Sequence, residues 1–147
     1  MTTEKEQVYE AVAVNTGGRD GESHLLDRTF EVRVSTPKDM GGPGQGTNPE
    51  QLYAMGHSAC YHSALEHYKA QEKITNPSQI IQTVRLLNDP SDGGFKLAST
   101  IEVAIKDMDL EKVQVLAEKA HAYCPYSKAT KGNVDYVIRA IEYEEGK

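Results

Sequence analysis

Hydrophobic and polar residues alternate along several short stretches of the chain, a pattern that is typical of β-strands with one buried face. It predicts strands over residues 7–14, 24–26, 29–35, 80–87, 95–105 and 134–143. Turn-forming residues, chiefly glycine and aspartate, fill the gaps at residues 16–21 and 88–94. The sequence therefore predicts a small antiparallel sheet at its beginning and a β-hairpin in its second half.

Two longer stretches show the spacing of helices. The first begins at residues 47–50, where a capping Thr or Asn, a first-turn Pro and a Glu are typical of a helix start, and it extends to about Lys73. The second covers residues 110–123 and is stopped by Pro125. Strands and helices occupy separate runs, which predicts the α+β class.

Length and charge restrict the possible functions. The 147 residues suit one domain, residues 1–147, and the modest 38% of hydrophobic residues favours a dimer that buries further surface. A net charge of −6 argues against nucleic acid or an anionic membrane as partner, since both attract basic surfaces. The first ten residues lack an apolar signal segment and no apolar run approaches membrane-spanning length, so we expect a cytoplasmic protein.

The chain has two cysteines, Cys60 and Cys124. In a reducing cytosol such a pair is seldom a permanent structural disulfide, which leaves inert buried thiols, a catalytic pair or part of a metal site. His57 and His121 each precede a cysteine by three residues, a spacing that places both side chains on one helix face. The four residues therefore form a possible Cys2His2 zinc set.

Three segments of the chain resemble those of organic hydroperoxide resistance (Ohr) proteins in the OsmC/Ohr superfamily. Residues 18–21, Gly-Arg-Asp-Gly, resemble the arginine loop of that family. Residues 46–52 followed by 56–60 resemble its first cysteine segment, and residues 124–133 resemble its second. The order and distances of the three segments fit, and the resemblance covers nearly the whole chain.

The resemblance implies an OsmC/Ohr-like fold, with antiparallel sheets packed around central helices in an intertwined homodimer. It implies a thiol peroxidase in which Cys60 attacks an organic hydroperoxide, Cys124 resolves the product as a disulfide, and Arg19 and Glu50 poise Cys60. No bound cofactor is implied. The implied reductant is a dithiol, either dihydrolipoamide or a lipoylated carrier protein. The alternative within the superfamily is a binding or structural member without peroxidase activity.

The implied chemistry explains the residue types. Attack on a peroxide needs a thiolate, and burial of a thiol disfavours that anion, whereas a fixed guanidinium favours it. A second thiol condenses with the resulting sulfenic acid before it is oxidised further. An apolar pocket would favour alkyl hydroperoxides over hydrogen peroxide, and the residues predicted to line it are Leu52, Tyr53, Met55 and Tyr126. His57, where relatives often have Tyr, makes the pocket more polar.

The distance between Glu50 and Cys60 raises a geometric difficulty. On one straight helix these residues would lie about 15 Å apart along the axis and point about 80° apart, so they could not share a polar network. Either Glu50 is outside the site or the helix breaks. We predict a break near Gly56, because glycine is a weak helix former, and a second helix whose first-turn amides lower the Cys60 pKa. The uncharged middle of the helix, residues 52–65, predicts burial on most sides.

Overall fold

The computed structural model describes residues 6–147, which divide into two compact units with the boundary between Pro49 and Glu50. The single domain over residues 1–147 stays a prediction. Among residues 6–147, none of the helices has both the length and the apolar character needed to cross a bilayer.

The first unit contains a three-stranded antiparallel sheet. Its strands are β1 (Ala13–Thr16), β2 (Gly21–Leu25) and β3 (Glu31–Val34), in that spatial order, which confirms the small sheet predicted from the sequence. The tight turn between β1 and β2 uses positive φ at Gly17 and Gly18 (84° and 61°). The strand predicted over residues 7–14 is wrong in position: residues 7–12 form no strand and Val8 is 99% exposed, because the alternation meets no partner strand in the described chain.

The second unit combines helices with a mixed sheet, which confirms the α+β class. Its elements are α1 (Pro49–Gln71, which begins at the last residue of the first unit), β4 (Ser78–Asp89), β5 (Gly94–Ile105), α2 (Leu110–Tyr123), α3 (Pro125–Thr130) and β6 (Asp135–Ala140). The sheet order is β4-β5-β6. β4 and β5 form the predicted antiparallel hairpin, whereas β6 pairs parallel to β5.

Helix α2 matches its predicted bounds because its local signals agree with its packing. Asp109 caps it by accepting a hydrogen bond from the Glu111 amide at 3.2 Å. Its buried side chains are Val113, Leu116, Ala117 and Ala120. They join one core with residues of α1 and β5, including Tyr61, Leu65, Ile101 and Val103. Cys124 is itself a member of this core cluster.

Helix α1 is unbroken from Pro49 to Gln71, so the predicted break near Gly56 is wrong. A single glycine costs a helix only about 1 kcal/mol, which tertiary packing readily outweighs. Its buried residues form one stripe: His57, Tyr61, Ala64, Leu65 and Lys69. The predicted burial on most sides is also wrong for the single chain, since Met55 is 57% exposed.

One residue separates α2 from α3. Cys124 has extended backbone dihedrals (φ −63°, ψ 126°), ends α2 by donating its amide to Ala120 O, and accepts from the Lys128 amide in α3, each at 2.9 Å. Pro125, predicted only to stop a helix, also begins the next one. Proline suits a first helical position because the amide it lacks would have no intrahelical partner there.

Candidate active site around Cys60 and Cys124

The structure brings the two cysteines together as free thiols. Cys60 lies in the middle of α1 and packs against the core cluster that contains Cys124, which lies at the joint between α2 and α3. The Cys124 thiol and the backbone amide of Tyr126, in the first turn of α3, are both close enough to Cys60 to act on its pKa. Two thiols placed side by side are candidates for a reversible disulfide.

The two sulfurs differ in their access to solvent. Cys124 is fully buried in the core, whereas Cys60 is only partly buried. The burial predicted for residues 52–65 therefore does not extend to full burial of Cys60. A reagent that arrives from solvent therefore meets Cys60 first.

The surroundings of Cys60 act on its pKa in both directions. Burial, followed by the hydrogen bond with Cys124 and the charge of that neighbour, raises the pKa of the Cys60 thiol above its ordinary value. The backbone hydrogen bond from Tyr126 opposes this rise. The net direction favours the thiol, so formation of the reactive thiolate calls for a stabilising cation. That is the role predicted for Arg19.

Arg19 and Glu50 occupy defined positions in their own units. Arg19 is half-buried in the turn between β1 and β2, and the adjacent Asp20 carboxylate fixes this turn by accepting from the Thr36 amide at 3.1 Å and the Thr36 hydroxyl at 2.9 Å. Glu50 lies in the first turn of α1. Because α1 is unbroken, Glu50 and Cys60 of one chain lie about 15 Å apart along its axis and share no polar network. The roles of both residues stay predictions.

His57 is a buried polar residue whose hydrogen-bond partners and ring contacts were not predicted from the sequence. It lies one turn before Cys60 and is fully buried. Its Nε2 lies 3.0 Å from Ser127 Oγ, and its Nδ1 lies 2.9 Å from Gln82 Nε2. Four tyrosine rings surround it with centroid distances of 5.6 to 6.5 Å: Tyr53, Tyr61, Tyr126 and Tyr136. The sequence offered two signals for His57, its spacing from Cys60 and its place in the predicted pocket, but neither indicates these hydrogen-bond partners.

Two of the four predicted pocket residues contact the His57 ring. Tyr53 and Tyr126 both contact the His57 ring, and the Tyr53 hydroxyl is hydrogen-bonded to that of Tyr136 at 3.0 Å. Leu52 is half-buried, whereas Met55 and Tyr126 remain 57% and 45% exposed. An apolar pocket lined by these residues stays a prediction.

The alternative zinc site gains no geometric support. Within residues 6–147, no three histidine, cysteine, aspartate or glutamate side chains are arranged to hold a metal ion. The His121 ring packs edge-on against Tyr136 at 4.8 Å, and burial lowers its pKa.

We expect His57 to make the fold sensitive to acid. Burial, with a smaller contribution from the charge of His121, lowers the His57 pKa from its ordinary 6.5 to about 4. Between these values the unfolded chain binds more protons than the folded chain, so stability is retained above pH 6.5 and falls as the pH drops towards 4. The full loss through His57 is up to about 3 kcal/mol of unfolding free energy.

Urea unfolding at several pH values between 7 and 4 measures this effect. His57→Phe should weaken the pH dependence, whereas the control His24→Gln, which removes an imidazole from β2, should leave it unchanged. An identical pH dependence in His57→Phe and the wild-type chain would contradict the expectation.

The fold and the paired thiols define an α+β protein with two cysteines placed for redox chemistry. A family model described as "OsmC-like protein" matches residues 42–139. The chain is 45% identical over 130 residues to organic hydroperoxide resistance protein-like 2 of Staphylococcus epidermidis. This match covers 87% of the chain and 92% of that relative. The chain is 44% identical over 128 residues to OhrB of Bacillus subtilis, with 87% and 94% covered.

Solved structures agree with these sequence relatives. The crystal structure of Bacillus subtilis OhrB matches with a TM-score of 0.83 and 42% identity, over 90% of this chain and 98% of that one. An organic hydroperoxide resistance protein from Legionella pneumophila matches with a TM-score of 0.85 and 35% identity, over 91% and 98%. The chain therefore belongs to the OsmC/Ohr family, as its motifs predicted.

Proposed function

We propose that the protein is a cysteine-based peroxidase that reduces organic hydroperoxides to alcohols. The observation that carries this proposal is the placement of two free thiols, Cys60 and Cys124, side by side in a member of the OsmC/Ohr family. The names of its relatives as organic hydroperoxide resistance proteins support the substrate class.

The first half of the reaction oxidises the two cysteines. The Cys60 thiolate attacks the terminal peroxide oxygen, the O–O bond breaks, and the departing alkoxide takes up a proton to become the alcohol. Cys60 is left as a sulfenic acid. The Cys124 thiolate then attacks the Cys60 sulfur and displaces hydroxide, which leaves as water after protonation. The products are one alcohol, one water and a Cys60–Cys124 disulfide.

A dithiol, dihydrolipoamide or a lipoylated carrier protein, completes the cycle. Its first thiolate attacks the disulfide at Cys60, since Cys124 is fully buried, and Cys124 leaves as thiolate. Its second thiol closes a ring and releases Cys60. The dithiol is a co-substrate rather than a bound cofactor, and it must be kept reduced, which suits the cytoplasm.

We propose further that the protein works as an intertwined homodimer. Large apolar side chains that are exposed in the single chain, among them Val8 and Met55, support a partner that covers them. A role of Glu50 at Cys60 then requires that Glu50 act on the site of the partner subunit, because an unbroken α1 separates the two residues within one chain.

Peroxide consumption tests the proposed function. The protein, incubated with dihydrolipoamide and cumene hydroperoxide, should consume the peroxide catalytically and produce the alcohol. Hydrogen peroxide should be consumed more slowly. If neither peroxide is consumed by the reduced, folded protein, the binding or structural alternative replaces this proposal.

Replacing Arg19 tests the proposed activation of Cys60. Arg19→Ala should raise the Cys60 pKa and slow attack on peroxide at neutral pH about tenfold or more, because the thiolate loses its cation. Arg19→Lys should recover only part of the rate, since an ammonium lacks the planar fork of a guanidinium. Thiolate absorbance against pH gives the pKa, and stopped-flow kinetics give the rate.

Arg28→Ala is the matched control for Arg19→Ala. Arg28 lies in the first unit as well, but its guanidinium is exposed and paired with Glu22 and Glu31 at 3.2 and 3.0 Å. Its loss should leave the Cys60 pKa unchanged. A Cys60 titration curve that does not move in Arg19→Ala would refute the role of Arg19.

A further inference from the structure

His57 and Ser127 form a second contact between the segments that carry the cysteines. His57 precedes Cys60 by three residues on α1, and Ser127 follows Cys124 by three residues in α3. Residues three apart on a helix lie on one face. The His57–Ser127 hydrogen bond at 3.0 Å and the Cys60–Cys124 contact are therefore neighbouring links between the same two segments.

The hydrogen bonds behind His57 fix the direction in which it donates. The Ser99 hydroxyl gives its one proton to Thr83 O at 3.0 Å, so its oxygen accepts from Gln82 Nε2 at 3.1 Å. The same Gln82 amide nitrogen donates to His57 Nδ1 at 2.9 Å. With the Gln82 amide nitrogen on this side, the neutral imidazole accepts at Nδ1 and donates from Nε2 to Ser127 Oγ.

His57 also holds Tyr126, the residue next to Ser127. The two rings stack with centroids 5.7 Å apart and planes inclined by 25°. The backbone amide of Tyr126 lies close enough to the Cys60 sulfur to lower its pKa. One buried imidazole, anchored to the β4–β5 sheet through Gln82, thus contacts two successive residues at the start of α3.

We propose that His57 is a positioning residue for the disulfide-forming step: through Ser127 and Tyr126 it holds the start of α3, and with it Cys124, in line with Cys60. This proposal rests on the proposed peroxidase function and deepens it. The two neighbouring sulfurs must close to a bond of about 2.05 Å. A misplacement of about 1 Å can slow such a step about 100-fold.

Single-turnover kinetics test the proposal. His57→Phe keeps a buried ring but removes both hydrogen bonds, and Ser127→Ala removes only the acceptor. Each variant should form the Cys60–Cys124 disulfide about 10- to 100-fold more slowly than the wild-type chain. The preceding attack on peroxide should change only a few-fold. Dimedone trapping should show a longer-lived Cys60 sulfenic acid, and mass spectrometry should show more sulfinic acid at high peroxide.

The double variant and a matched control separate positioning from general destabilisation. His57→Phe combined with Ser127→Ala should be no slower than the slower single variant, because both remove the same contact. Lys69→Met removes a buried side chain from α1 that bonds Glu66, Asn76 and Ser78, away from the cysteines. It should lower stability but leave disulfide formation at the wild-type rate.

Two results would overturn the proposal. Disulfide formation at the wild-type rate in folded His57→Phe and Ser127→Ala would overturn it, as would equal slowing in Lys69→Met. Ser127→Ala keeps the test available if His57→Phe does not fold. Diamide oxidises the two thiols to the disulfide without peroxide. With diamide, the wild-type chain and the variants should form the disulfide in the same order of rate as with peroxide. If the wild-type chain consumes no peroxide yet diamide closure depends on His57, the peroxidase function fails while the positioning role stands.

Discussion

Cys60→Ser is expected to abolish turnover of organic hydroperoxides, whereas Cys124→Ser should consume about one equivalent of peroxide per chain and then stop. The unequal settings of the two thiols give the reason. Cys60 is partly accessible and lies near the Tyr126 amide, whereas Cys124 is fully buried in the core. Removal of the accessible sulfur prevents attack, while removal of the buried sulfur leaves a sulfenic acid that nothing in the chain resolves.

Peroxide assays at stoichiometric enzyme, read together with intact-protein mass spectrometry, distinguish these outcomes. Cys60→Ser should keep its mass, and Cys124→Ser should gain one oxygen that dimedone traps. The two serine variants are each other's control, since both lose a thiol from the same contact. Normal turnover in Cys60→Ser would reverse the assignment of the two cysteines.

Dihydrolipoamide is expected to support turnover roughly 100-fold faster than glutathione or thioredoxin at equal thiol concentration and saturating organic hydroperoxide. After its first thiol has formed a mixed disulfide with Cys60, its second thiol is held nearby and closes a ring at high effective concentration. Glutathione must supply a second molecule for that step, and its negative charge opposes the net charge of −6 on the chain. The partial exposure of Cys60 weakens an argument from access against glutathione, so ring closure is the main reason for that difference. Thioredoxin also carries two thiols, and its slower rate is expected from its size at a sulfur that is only partly exposed.

Two small thiol reagents separate the effect of ring closure on the rate from the effect of the size of the reductant. Dithiothreitol and 2-mercaptoethanol both reach a partly exposed sulfur, but only dithiothreitol can close a ring. Dithiothreitol should therefore be much the faster of the two, and dihydrolipoamide should exceed dithiothreitol if its apolar chain contributes binding. Rates with glutathione that equal those with dihydrolipoamide would contradict the proposed reductant.

Local sequence signals predicted the elements whose packing agrees with them. Helix α2 was predicted at its observed bounds because Asp109, its apolar stripe and the Cys124-Pro125 end all act within the same short segment. The β4–β5 hairpin was predicted because its two alternating strands flank a turn-rich gap. The family motifs likewise predicted the meeting of Cys60 and Cys124, which spacing alone left open.

Other features depend on contacts that no local pattern encodes. The parallel pairing of β6 with β5 is set by the crossover through α2 and α3. The predicted break at Gly56 failed because the cost of one glycine is small beside the packing of the long buried stripe on α1. His57 was considered for its spacing from Cys60, but Gln82 and Ser127, distant in sequence, determine what its ring does.

The parallel pairing of β6 also has a consequence for how the chain acquires its chemistry. The β4–β5 hairpin can form locally, but β6 can join β5 only after the α2–α3 crossover has formed, and such non-local contacts are slow to assemble. Cys124 lies inside that crossover, so we expect the thiol pair to be completed late. A newly synthesised chain that meets peroxide before then has Cys60 without its resolving thiol and is at risk of irreversible oxidation. For each peroxide molecule that Cys60 reduces, overoxidation should therefore be more frequent in chains with an incomplete crossover than in the folded protein.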